Sequence, residues 1–182
     1  MNAAMQAVGA TIEYDAPRNL AEFMSLALAM ESEAAQRYSE LADAMETANN
    51  VDVAELFRKM ANIETGHARA IMAQMRWREY APPRCSSSFG ASEGPETPAG
   101  DTVHYLMQPY HALEIALACE ERAAAFYAEL ALSAEDADVR EAARDLEAEE
   151  REHVGLVREW MARVEKPAEN WMDDPDPPRY TD

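Results

Sequence analysis

The sequence predicts an all-α protein, a four-helix bundle of two antiparallel helix pairs joined by a long crossover. Three observations predict it. A helix-pair pattern occurs twice along the chain, the second helix of each copy carries Glu-x-x-His within its apolar stripe, and one long Pro-, Gly- and Ser-rich break separates the copies.

The duplication is explicit. Glu31-Ser-Glu-Ala-Ala-Gln-Arg-Tyr38-Ser-Glu-Leu-Ala42 matches Glu120-Glu-Arg-Ala-Ala-Ala-Phe-Tyr127-Ala-Glu-Leu-Ala131, with Tyr and Glu-Leu-Ala at the same offsets from the first Glu. Downstream, Glu64-Thr-Gly-His67 matches Glu150-Arg-Glu-His153, and Met75 and Met161 fall at equal distances after the two histidines. Helical positions i and i+3 share a face one turn apart, so the carboxylate and imidazole of each motif can grip one ion.

In order, residues 1–18 read as an irregular N-terminal lead containing Pro17. Asn19 is the expected N-cap of a first helix reaching about Thr47, with Glu22 at the capping-box position. Its stripe runs Phe23 or Met24, Ala27, Glu31, Ala34, Tyr38, Leu41 and Met45, which places Glu31 inward and Glu33 elsewhere. Asn49-Asn50 make a short turn into a second helix over about 52–79, striped by Val53, Leu56 or Phe57, Met60, Glu64, His67, Ile71 and Met75.

The crossover occupies 81–108 and is long enough to travel the length of a bundle. A third helix starts near Pro109 and ends about Leu132. The fourth runs from about Asp136 to Glu165, with Val139, Ala143, Leu146, Glu150, His153, Val157, Trp160 or Met161 and Val164 on its stripe. Residues 166–182 read as an acidic, Pro-rich tail, extended and without a packed fold, so the bundle itself spans 19–165.

With 182 residues the chain fits one domain with a sizeable core, and its net charge of −19 argues against nucleic acid and anionic membranes as partners. Cys85 and Cys119 stand alone, so neither a disulfide framework nor a Cys-x-x-Cys metal site is available. No basic leader or apolar run of about 18 residues is present, and the expected location is cytoplasmic.

The bundle topology brings Glu31, Glu64, His67, Glu120, Glu150 and His153 to one level of the core. Unpartnered carboxylates and imidazoles are costly to bury, and metal ions are partners that repay the cost. Mixed oxygen and nitrogen donors suit two divalent ions of the iron or manganese kind, with zinc as an alternative. Taken singly, each motif has a plainer reading: Glu-x-x-His on an acidic helix arises by chance, and His153 alone could pair with Glu149. Two copies in phase with duplicated helices argue against that. Tyr38 and Tyr127 read as core residues whose hydroxyls bond a ligand carboxylate. The methionines and Cys119 read as core filler, and His104 and His111 as surface or loop residues. Glu121, Glu147, Glu149 and Glu152 read as a solvated face, with Glu121 or Glu149 able to approach the ligands.

One Glu from each of two helices and Glu-x-x-His from each of the others resembles the ferritin-like di-iron carboxylate proteins. Within that superfamily, Ala29-Met-Glu-Ser-Glu-Ala-Ala-Gln-Arg-Tyr38 and Ile63-Glu-Thr-Gly-His-Ala68 resemble rubrerythrins. The resemblance implies His67 and His153 anchoring one metal each, Glu64 and Glu150 bridging or capping, and Glu31 and Glu120 as terminal ligands, all six serving catalysis. Two departures stand out. Ala123 occupies the position of an additional rubrerythrin Glu, and no rubredoxin-like Cys-x-x-Cys domain is present, so the six-ligand set is closer to a bacterioferritin ferroxidase centre.

The resemblance thus implies a non-haem di-iron oxidoreductase that reduces peroxide or dioxygen with oxidation of Fe(II), served by an external electron donor, in a homodimer. Iron storage or delivery without turnover, and a metal-free interaction bundle, are the alternatives from other functional classes.

Overall fold

A computed structural model describes the backbone of residues 2–7, 10–77, 95–98 and 103–173, and the side chains of these segments from residue 16 onward. Four helices carry the fold: α1 (Leu20–Thr47), α2 (Val51–Gln74), α3 (Pro109–Ser133) and α4 (Ala137–Met161). α1 packs against α2 and α3 against α4, giving the expected two pairs.

The helix ends are set by local chemistry. Asn19 caps α1 by accepting from the Glu22 N–H, and Asp136 caps α4 by accepting from Asp138 and Val139. The Glu22 carboxylate takes the backbone N–H and guanidinium of Arg18. α1 stops where Asn49 adopts φ 59°, with Asn50 N–H bonding Met45 O at 2.8 Å and Asn49 N–H bonding Glu46 O at 2.9 Å. Asn tolerates this left-handed conformation, which lets the last carbonyls find donors. α2 ends the same way but earlier than its periodicity predicts. Arg76 takes φ 56°, and Trp77 N–H reaches Met72 O at 2.9 Å. The apolar stripe continues through this turn because Trp77 itself is buried in the core, so periodicity alone overran the helix.

The core falls into two clusters with a polar layer between them. One joins Phe23, Met30, Ile71, Trp77, Phe126, Tyr127 and Val139; the other joins Tyr38, Met45, Val53, Phe57, Leu113 and Val157. α1 and α4 therefore run from the first cluster to the second, and α2 and α3 run in the opposite sense. Because α2 and α3 are parallel, the segment connecting them must travel from the Trp77 end to the Met107 end. It passes the middle layer on the way.

Two expectations are corrected. Residues of the predicted irregular lead form an antiparallel hairpin, β1 (Asn2–Ala7) with β2 (Ala10–Asp15), in register from Asn2 opposite Asp15 to Ala7 opposite Ala10. Alternation such as Thr11-Ile12-Glu13-Tyr14 carries the period-two signal of a strand. The start of the predicted unpacked tail is docked: Trp171 packs on the second cluster and lies 3.9 Å, centroid to centroid, from the His111 ring. One large aromatic supplies enough apolar surface to hold a short polar segment. Most of the predicted crossover, Cys85 included, and the end of the tail lie outside the described residues.

Candidate metal centre

Each helix contributes its ligand candidates at the level between the two core clusters. Glu31, Glu64, Glu120 and Glu150 are only 1–4% exposed, in a layer otherwise flanked by apolar side chains. The six residues form two half-sites. In the first, His67 Nδ1 lies 3.2 Å from Glu31 Oε2 and 3.1 Å from Glu64 Oε2. In the second, His153 Nδ1 lies 3.3 Å from Glu150 Oε2 and 3.5 Å from Glu120 Oε2. Each triad offers one donor atom per residue, all within 4.8 Å of one another, a spacing that can hold a metal ion.

The electrostatics show how uncomfortable this layer is without cations. Burial, reinforced by repulsion from Glu64 and Glu150, pushes the Glu31 carboxyl up to about 10. Burial likewise raises Glu150 to about 7, against the pull of His153. Burial alone would favour a neutral His153, but hydrogen bonds to Glu120 and Glu150 raise it to about 10. His67 is raised in the same manner, burial being outweighed by Glu64. The metal-free layer therefore holds protons where a loaded one would hold ions.

A further acid enters the layer. Glu96, in the crossover, is 5% exposed, and one of its oxygens lies within 4.8 Å of donor oxygens of Glu31 and Glu150. Tyr127 O–H donates to Glu96 Oε1 at 3.1 Å, while Oε2 is buried with no hydrogen-bond partner. Arg122 fixes the segment by donating to Pro95 O at 2.9 Å and Thr97 O at 3.1 Å. Sequence reasoning missed Glu96 because a lone acid in a Pro-rich linker has no periodicity. The signal available was topological, since a crossover between parallel helices must pass the ligand layer.

The tyrosines depart from expectation in an instructive way. Tyr127 bonds a carboxylate, but that of Glu96 rather than one of the six predicted ligands. Tyr38 is buried, stacked on Phe57 at 6.1 Å, and its hydroxyl finds no oxygen or nitrogen partner. The duplicated helices give the two tyrosines equivalent places, but Glu96 supplies a carboxylate to Tyr127 alone.

Other assignments follow the sequence. Cys119 is buried, and burial pushes its thiol up to about 11. Ala123 lies fully buried in the first core cluster. Glu121 turns to the surface and pairs with Arg158 at 2.6 Å, and Glu149 is exposed, so neither joins the layer. His104 and His111 remain outside it, packed near Trp171.

The donor set fits two divalent ions. Each half-site pairs two carboxylates with one imidazole, and the Glu96 carboxylate lies close to a donor oxygen from each half-site.

Paired helices that bring a Glu from α1 and α3 and Glu-x-x-His from α2 and α4 to one buried layer define the ferritin-like di-iron carboxylate class. Within it the chain belongs among the rubrerythrin-like proteins. The Rubrerythrin family model matches residues 22–88. A crystal structure of an uncharacterized conserved protein from Magnetospirillum magnetotacticum MS-1 is similar at 41% sequence identity, with a TM-score of 0.61. The match covers 82% of this chain and 98% of that one. No functionally curated protein matches the chain. Among the described residues no helix is long and apolar enough to cross a membrane.

Proposed function

We propose that the chain is a non-haem di-iron oxidoreductase of the rubrerythrin/ferritin-like type, which reduces peroxide or dioxygen as Fe(II) is oxidised. The observation that carries this reading is the pair of near-equivalent half-sites, each with two carboxylates and an imidazole, sharing one dry layer. Glu31, Glu64 and His67 would hold one metal, and Glu120, Glu150 and His153 the other. Two bound ferrous ions supply two electrons, enough to take peroxide to water or dioxygen to peroxide.

The chain's own residues set the conditions for that chemistry. The carboxylate side chains are 2–6% exposed, whereas those of His67 and His153 are 24% and 19% exposed. The imidazoles thus form the solvent-facing edge of the layer, where a small oxidant can approach. The flanking clusters exclude bulk water and hold the ligand geometry. Repeated turnover would draw on an external electron donor.

Stopped-flow oxidation of the Fe(II)-loaded protein tests the reading. Rapid oxidation by peroxide or dioxygen, followed by re-reduction and repeated cycles, is the expected result. Stable iron uptake with a single oxidation and no return to the ferrous state would instead mark a storage or delivery protein. Exclusive retention of zinc would remove the redox role.

A further inference from the structure

We infer that Glu96 is an additional metal ligand of this centre, delivered by the crossover rather than by a helix and reaching between the two half-sites. The inference rests on the di-metal reading above and adds a residue to it. Its donor oxygen stands within 4.8 Å of Glu31, from the first half-site, and of Glu150, from the second. No other described residue outside the two triads brings an acid so close to one from each half.

The way Glu96 is held argues for a ligand rather than a structural acid. Tyr127 engages only Oε1, which orients the carboxylate and leaves Oε2 buried without a partner. A protonated structural carboxyl would need an acceptor for its O–H, and an ionised one would need a donor. Oε2 has neither. The Arg122 guanidinium is directed at the carbonyls of Pro95 and Thr97 and at Cys119 Sγ, so it anchors the backbone on both sides of Glu96 without bonding the carboxylate. A backbone fixed this firmly around a buried, half-orphaned acid is a positioned donor waiting for a cation.

The test uses the full-length protein, metal-free and then titrated anaerobically with Fe(II) and, separately, Mn(II). Metal content, affinity and thermal melting are followed in wild type, Glu96→Gln and Glu96→Asp. Gln keeps an acceptor for Tyr127 but removes the anionic donor; Asp keeps the charge but withdraws it by one methylene. Wild type is expected to bind two ions. Both variants are expected to bind at least one of them about tenfold more weakly, the lower end of the loss that even an outer ligand partner carries. The melting gain on metal addition should shrink by about 3–6 °C, the equivalent of that tenfold for a chain of this size.

Metal-free Glu96→Gln should melt no lower than wild type, because a neutral amide replaces a buried acid. Unchanged affinity and an unchanged metal-linked gain in either folded variant would overturn the role of Glu96. So would a loss confined to metal-free stability. Failure of wild type to bind metal would instead overturn the di-metal reading itself.

Discussion

The imidazoles of His67 and His153 lie face to face, with ring centroids 4.6 Å apart and planes 7° from parallel. They come from equivalent places in the two copies of the duplicated helix pair, so the stack marks the pseudo-two-fold relation of the two halves. Each ring turns Nδ1 toward the carboxylates of its own half-site. This leaves two N,O,O donor sets side by side.

The metal-free protein should lose stability as pH rises. Glu31 is lifted from 4.5 to about 10, Glu150 to about 7, and His153 from 6.5 to about 10, so the folded state binds more protons than the unfolded state across this range. Their contributions are fully present below the unfolded values and fade as pH climbs through the folded ones. One proton of difference over one pH unit is about 1.4 kcal/mol, or roughly 3–6 °C in Tm for a chain of this size. Melting of the metal-free protein between pH 5 and pH 9 should show a fall of at least this amount. Added Fe(II) or Mn(II) should stabilise more at the alkaline end, because ligands must shed protons to bind. A metal-free Tm that rises with pH would contradict these shifts.

Tyr127→Phe removes the donor to Glu96 Oε1 while preserving ring packing against Phe23 and Phe126. Leaving a buried acceptor unsatisfied costs about 1–3 kcal/mol, readable as a lower urea midpoint in the metal-free protein. Tyr38→Phe breaks no comparable bond, since the Tyr38 hydroxyl has no oxygen or nitrogen partner, and it should cost less. Equal losses at the two positions would show that the crossover carboxylate does not distinguish them.

The four helices were legible in the sequence because their stripes repeat at helical spacing and the repeats recur in both halves. Glu31 could be placed inward by phase and Glu120 by its match to Glu31 in the duplication, and both are buried. The α2 terminus was less legible, because Arg76 in a left-handed conformation leaves no glycine to announce the stop. Glu96 was invisible for a different reason. On α3 the position one turn past Glu120 is Ala123, whereas the acid that enters the layer comes from a segment with no periodicity, fixed by Arg122.

Phe57→Ala and Phe23→Ala probe the two core clusters on either side of the layer, both side chains being fully buried. Each should cost about 3–5 kcal/mol through lost contacts and a residual cavity. As long as the layer between the clusters keeps its geometry, added metal should raise Tm in both variants at saturating Mn(II). A metal-linked gain absent from one variant would show that loosening its cluster disturbs the layer enough to abolish binding.

The central claim is that two half-sites hold two metal ions, and the count of ions per chain tests it most directly. Protein purified from iron-replete cells, and metal-free protein reloaded anaerobically with Fe(II), should each carry close to two ions by mass spectrometry. Glu64→Ala removes a ligand from one half-site and Glu150→Ala from the other, so each should retain about one ion or fewer. Two ions in wild type with this loss in both variants is the predicted result. Full occupancy in both variants, or a wild-type chain that takes up no iron or manganese, would contradict it.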